Sequence, residues 1–179
     1  LLIGAGSPGL AADVGDKSSL FPVRLALQWL PQSQFAGFYM ARDLGFYREA
    51  GLDVVLLHTG PGPSSLDFLT EDRADFATLF LADAIVHARE SKPLANIAQL
   101  VRRSNLVLVG WKDRGIEQPA DLDGRRITHW PGAFSVTFTA FFRKHGIQPE
   151  VRPQHYSVNL FLHHGVDACA AMLYNEYHR

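Results

Sequence analysis

The 179-residue chain has a single cysteine, Cys169, so an intrachain disulfide is impossible and a cysteine-pair zinc site is excluded. Cys169 sits in an apolar run and reads as a small buried hydrophobe. One thiol does not distinguish a reducing from an oxidising compartment. Lys and Arg form no cluster, and the formal net charge is −1, which argues against nucleic acid as a partner. No stretch reaches the ~18 consecutive apolar residues of a membrane span. There is no His-Glu-x-x-His: His58, His87, His129 and His155 fall on different elements, and His163 and His164 point apart on a helix. Gly60-Pro-Gly-Pro63 lacks a following Gly-Lys-Ser/Thr, so it is no phosphate loop. A Gly-x-Ser-x-Gly elbow is missing, and Ser135 has no evident base. Metal, nucleotide and serine-hydrolase chemistry therefore lack their residues, and no cofactor is expected.

What is present is a soluble α/β pattern. With 47% hydrophobic and 20% charged residues, the chain has ample core material. Val23–Trp29 alternates and then turns apolar, as a buried strand does, and Pro31 ends it because proline has no N–H for the ladder. Phe35, Phe38, Tyr39, Leu44 and Tyr47 then recur at helical spacing. Gly45 and Gly51 break the helix near its end, Gly51 being the expected left-handed cap, and Leu52–Leu57 is a second strand. Strand, helix and strand of this length predict a right-handed crossover between parallel strands. The loop Leu30–Gln34 then lies at a strand's carboxyl end and a helix's amino end, where open α/β sheets bind ligands. Trp29, Gln34 and Tyr39 offer aromatic faces and uncharged hydrogen-bonding groups there, which suit a flat polar heterocycle better than a phosphate.

The stretch Trp29-Leu-Pro-x-x-x-Phe-Ala-Gly-Phe-Tyr-x-Ala-x-x-x-Gly-Phe-Tyr-x-Glu-Ala-Gly-Leu-Asp-Val54 resembles the opening of the substrate-binding proteins related to thiamine-pyrimidine synthase. That superfamily includes the formylaminopyrimidine-, alkanesulfonate- and nitrate-binding proteins of ABC transporters. The resemblance runs from about Val23 to Arg179. Its Gly-Phe-Tyr-x-Glu-Ala-Gly-Leu-Asp-Val block marks the superfamily, not a ligand. The implied fold is α/β, the type II periplasmic-binding-protein fold: two α/β lobes with a ligand cleft between them.

Further along, His58–Ser65 is a turn-rich loop opening a helix over Leu66–Asp72, with Ser64 or Ser65 as N-cap. Free N–H groups at that helix start suit a ligand oxygen, and ordinary capping explains the serines equally. Ala74–Thr78 is a third strand and Leu81–Ser91 a helix, with Asp83 in its first turn as cap or ligand contact. Leu94–Arg103 and Leu106–Trp111 are strands, and Arg102–Asn105 is the expected crossing between lobes. Arg125–His129, Glu150–Gln154 and Asp167–Met172 are expected in a second sheet. Phe134–His145 and Val158–His164 are the helices among them. Trp130 and Gly132 again stand between a strand end and a helix start. The expected layout is residues 1–19 as a signal-peptide remnant or flexible tail, 20–104 as lobe 1, 105–172 as lobe 2, and 173–179 as the start of a return hinge. The small-x-small sites Gly9–Ala11 and Leu10–Ala12 fit a leader's end. An amino-terminal fragment and a complete small domain are both compatible with the length, and the stop inside an apparent hinge favours the fragment.

The resemblance implies an extracytoplasmic solute-binding protein of an ABC importer, taking a thiamine pyrimidine precursor or a similar flat heterocycle. Its partners would be that small molecule and a transporter permease. A sensor domain fused to a membrane kinase or cyclase is the alternative. Trp29, Tyr39 and Trp130 would stack, while Gln34, Asn175 and Glu176 beside Tyr174 would hydrogen-bond the ring. Glu176 reads equally as a solvated hinge residue. The synthases of the superfamily carry pyridoxal phosphate on a lysine and consume a nearby histidine. Leu79 and Asp83 stand at about those places and supply neither function, so an enzyme is the least supported reading.

Overall fold

The computed structural model describes residues 2–4, 19–90 and 94–178, and the chain divides into two compact units, Leu1–Arg102 and Arg103–Arg179. In the first unit the elements are β1 (Leu2–Gly4), β2 (Phe21–Leu27), α1 (Ala36–Asp43), α2 (Phe46–Glu49), β3 (Leu52–His58), α3 (Ser65–Thr70), β4 (Phe76–Thr78), α4 (Leu81–Glu90) and β5 (Ala95–Ala98). They build one five-stranded sheet in the order β3-β2-β4-β1-β5. β2 is parallel to β3 in unbroken register from Phe21↔Leu52 to Leu27↔His58, and parallel to β4. The expected crossover is therefore present, with boundaries shifted by one or two residues.

Burial explains the strand pattern. Val23, Leu25 and Leu27 turn to one face of β2 and pack with Phe35 and Val54, while Ala26 turns to the other and packs with Leu69, Ala77 and Leu79. Helices cover both faces, so β2 reads as almost continuously apolar. The helix expected as one piece is two. Gly45 has φ 83°, a left-handed conformation that ends α1, and Gly51 with φ 78° ends α2. β1 was not anticipated by a leader-or-tail reading of residues 1–19. Leu2–Gly4 lies antiparallel between β4 and β5, satisfying one edge of each. The small-x-small sites at 9–12 lie outside the described residues, as does the end of the helix beyond Glu90.

The second unit holds β6 (Leu106–Gly110), β7 (Arg126–His129), α5 (Ala133–His145), β8 (Glu150–Pro153), α6 (Asn159–Leu162) and β9 (Ala168–Met172), with short 3-10 turns at Lys112–Arg114, Pro119–Leu122 and Glu176–His178. Its sheet runs β6-β9-β7-β8, with β7 parallel to β8 and β9 and with β6 antiparallel to β9. The six strands expected in two groups of three thus lie in two sheets. Phe138 and Phe142, one helical turn apart on α5, bury against Ile127, Leu122, Ala168 and Ala170. Arg143, Lys144 and His145 in the last turn favour the helix dipole, and Gly146 closes it at φ 66°. Gly146→Ala is expected to cost about 1 kcal/mol, because a Cβ disfavours that region. A lowered urea midpoint checks this; an unchanged one would mean the cap rearranges without strain.

The two units repeat one motif. β3-β2-β4 in the first has the same parallel order as β8-β7-β9 in the second. In each, an aspartate stands just before the third strand and clasps an arginine on the central one. The Asp75 N–H donates to the Arg24 carbonyl at 2.9 Å, and its carboxylate accepts the Arg24 N–H at 2.7 Å and the guanidinium at 2.8 Å. The Asp167 N–H donates to the Arg126 carbonyl at 2.8 Å, and its carboxylate accepts the Arg126 N–H at 3.0 Å and the guanidinium at 3.4 Å. Arg114 adds a second guanidinium 3.4 Å from Asp167.

Candidate functional site

In the first unit the loops after β2, β3 and β4 leave the sheet at its carboxyl edge. Thr59, just past β3, returns to β2: its N–H and its hydroxyl both donate to the Leu27 carbonyl. Leu30 packs on Gly60, where a Cβ would come within 3.1 Å of the leucine side chain, so the two loops touch. The Gln28 N–H donates to the Thr78 hydroxyl at the end of β4, which ties the third loop to the first.

Within this cluster the nominated side chains separate by role. Ser64 caps α3 in a reciprocal box with Asp67, and the Ser65 hydroxyl is buried and donates to the Thr78 carbonyl. Both serines are thus committed to the scaffold. The Gln34 amide donates to Gln32. Asp83 lies half-buried in the first turn of α4, where burial pushes its carboxyl up from the ordinary carboxylate value. Trp29 and Tyr39 are half-buried and share one apolar cluster with Phe35 and Phe38. The residue that joins them is His58, the last of β3. One ring nitrogen lies 2.9 Å from the Trp29 carbonyl and the other 3.1 Å from the Tyr39 hydroxyl, with the Phe35 ring edge-on at 5.7 Å. Sequence reading missed His58 by treating the histidines as scattered. No sequence signal marks it: the register that pairs Leu27 with His58 sets it level with the end of the strand that leads to Trp29, and that register is a tertiary fact.

In the second unit Trp130 is half-buried, leans on Phe134 at 5.7 Å, and has its carbonyl 2.9 Å from His129 Nδ1. Gly132, at φ 72°, starts α5. The trio at the chain's end forms a turn of its own. The Glu176 carboxylate accepts the Met172 N–H and the Asn175 amide, each at 3.0 Å, and so closes β9. Burial, helped by the Glu176 charge, pushes the Tyr174 hydroxyl up to about 12. An apolar cleft of about 460 Å³ lies along β6 and α5, lined by Leu106, Leu108, Ile116, Phe138 and Phe141, and none of the nominated residues lines it. Among the described residues no group of three or more His, Cys, Asp or Glu side chains is arranged to hold a metal ion.

Two α/β units of one motif, each with its central parallel strands opening into aromatic-bearing loops, have the fold of the periplasmic binding proteins. The chain superposes on the periplasmic aliphatic sulphonate binding protein SsuA of Escherichia coli with a TM-score of 0.59 and 18% identity, covering 86% of this chain and 52% of that one. The alkanesulfonate-binding SsuA of Xanthomonas axonopodis pv. citri gives 0.51 and 18%, covering 87% and 55%. The chain belongs to the NMT1/THI5 like family, which it matches over residues 32–179. A curated relative, the formylaminopyrimidine-binding protein of Halalkalibacterium halodurans, is 24% identical over 117 residues. The match covers 65% of this chain and 35% of that relative, so the chain spans about a third of it.

Proposed function

We propose that the protein captures a small flat nitrogen heterocycle outside the cytoplasm, of the formylaminopyrimidine class, and delivers it to the permease of an ABC importer. Its role is binding, not catalysis. The observation that carries this reading is the set of groups gathered at the carboxyl edge of the first sheet: two large aromatic residues tied to one imidazole, Trp29 by its main-chain carbonyl and Tyr39 by its hydroxyl. Aromatic walls with a few fixed polar atoms are what a ring ligand requires. The relationship to a formylaminopyrimidine-binding protein supports the ligand class, and the periplasmic-binding-protein fold supports the extracytoplasmic location and the permease partner.

Trp29→Ala is expected to weaken formylaminopyrimidine binding by several-fold to tenfold or more. The lost stacking alone is worth about 0.5–1.5 kcal/mol, and each 1.4 kcal/mol is a factor of ten. Trp29→Phe keeps a ring and most of the apolar bulk and is expected to lose less. Calorimetric titration, with the ligand-free melting temperature recorded alongside, checks it. Unchanged affinity with a large drop in melting temperature would make Trp29 a core residue and defeat this placement of the site.

A further inference from the structure

The hydrogen bonds around His58 have only one consistent direction. The Trp29 carbonyl can only accept, so the ring nitrogen 2.9 Å away, Nδ1, carries a hydrogen. In the neutral ring Nε2 is then a bare acceptor. The Tyr39 oxygen 3.1 Å from it must donate its hydroxyl hydrogen. Tyr39 therefore has no hydrogen left for a ligand, and its oxygen can only accept. His129 in the second unit makes the same contact to a carbonyl, that of Trp130, from Nδ1 at 2.9 Å, with its ring stacked on Phe138 at 5.1 Å.

We infer that His58 is a specificity-determining residue: by taking the Tyr39 hydroxyl hydrogen it makes Tyr39 an obligate acceptor, which selects amino-bearing heterocycles over sulfonates. The inference rests on the proposed ligand site at Trp29 and Tyr39. A ring N–H or exocyclic amino group finds a lone pair there. A sulfonate, whose oxygens only accept, meets a second acceptor, and a polar group left unpaired in a partly buried site costs more than a good bond gains. The groups facing the imidazole fit this assignment. They are the Trp29 carbonyl from the loop after β2, the Phe35 ring from the turn before α1, and Tyr39 from α1. The Arg42 guanidinium lies 5.9 Å from the Tyr39 ring centre and is paired with Asp43 at 2.7 Å.

The test uses two probes, formylaminopyrimidine and methanesulfonate, with the whole chain. The ratio of their affinities is expected to favour formylaminopyrimidine in the native protein. It is expected to narrow about tenfold in His58→Phe, the worth of one hydrogen bond that has changed sense. Tyr39→Phe, which only removes the hydroxyl, is expected to lose formylaminopyrimidine affinity and leave methanesulfonate unchanged. Nitrogen-15 spectra of the ligand-free protein read the tautomer directly: Nδ1–H with a bare Nε2 is expected, and the Nε2–H form overturns the inference whatever the ligand does. Binding that perturbs the Trp29 indole while the ratio is the same in all three proteins overturns the inference and leaves the site standing. No perturbation of Trp29 by either probe overturns both.

Discussion

Gln154→Leu is expected to destabilise the second unit by about 3 kcal/mol or more, a larger effect than truncating most of its apolar side chains to the next smaller one. Gln154 follows β8 and is 4% exposed. Its amide replaces a missing stretch of ladder. The Nε2 donates to the Ala170 carbonyl at 2.8 Å, while Oε1 accepts the Ala170 N–H and the Thr128 hydroxyl, each at 3.1 Å. Leucine fills the volume and leaves three buried polar groups without partners. Each unsatisfied group costs about 1–3 kcal/mol, and the costs do not simply add. Gln154→Glu separates polarity from shape: it keeps both acceptor bonds, loses the donor, and sets a charge against the Ala170 carbonyl, so it is expected to be at least as damaging at neutral pH. Urea unfolding followed by signals from the second unit checks both. A Gln154→Leu midpoint close to native would show that water enters and repairs the gap.

Asp167→Ala comes second, with an expected loss of about 2–3 kcal/mol at neutral pH, against a smaller loss for Asp75→Ala. The motif is the same in both units, and exposure decides between them. The Asp167 side chain is 9% exposed, whereas the Asp75 side chain is 39% exposed and solvent screens its ion pair. Burial by itself would raise the Asp167 carboxyl, and the Arg126 N–H and guanidinium more than offset it, so the group is held below its ordinary value. Asp75 is lowered mainly by the Arg24 guanidinium. A carboxyl depressed in the folded state stabilises fully above its unfolded value, about 3.9. That contribution fades as the pH falls below this value and is gone once the folded carboxyl has protonated. Native protein should therefore lose stability steeply below about pH 4, and Asp167→Asn should flatten that acid limb. A limb that keeps its slope in Asp167→Asn would show that other carboxylates govern it.

Much of the architecture was legible because apolar periodicity and breaker residues report it directly. β2 was visible in its apolar run closed by Pro31, and the division of strands into two sheets followed from the two-lobed fold that the family resemblance implied. What stayed hidden depends on tertiary partners. Gly45 was read as a break near the helix end, but its left-handed angle, which divides the helix in two, is a backbone fact that the continuing side-chain pattern does not report. β1 is three residues long, too short for any period, and exists through pairing with β4 and β5. At the site, Trp29 and Tyr39 could be nominated from chemistry and position. Ser65 could not be told from a ligand contact, because its hydroxyl points to a carbonyl thirteen residues away. His58 was invisible as a member of the site, since its meaning lies in two bonds to other segments.

Cys169 turns its isolation into a built-in clock. The thiol is 3% exposed in β9, between β6 and β7, and burial with the Glu176 charge pushes it up to about 12. An alkylating reagent meets neither a surface sulfur nor a thiolate while that strand is in place. Modification must wait for the sheet of the second unit to open, and in the unfolded chain the same sulfur regains ordinary reactivity. Because the chain has no other cysteine, the alkylation rate counts openings of that unit alone, under native conditions and without an added label.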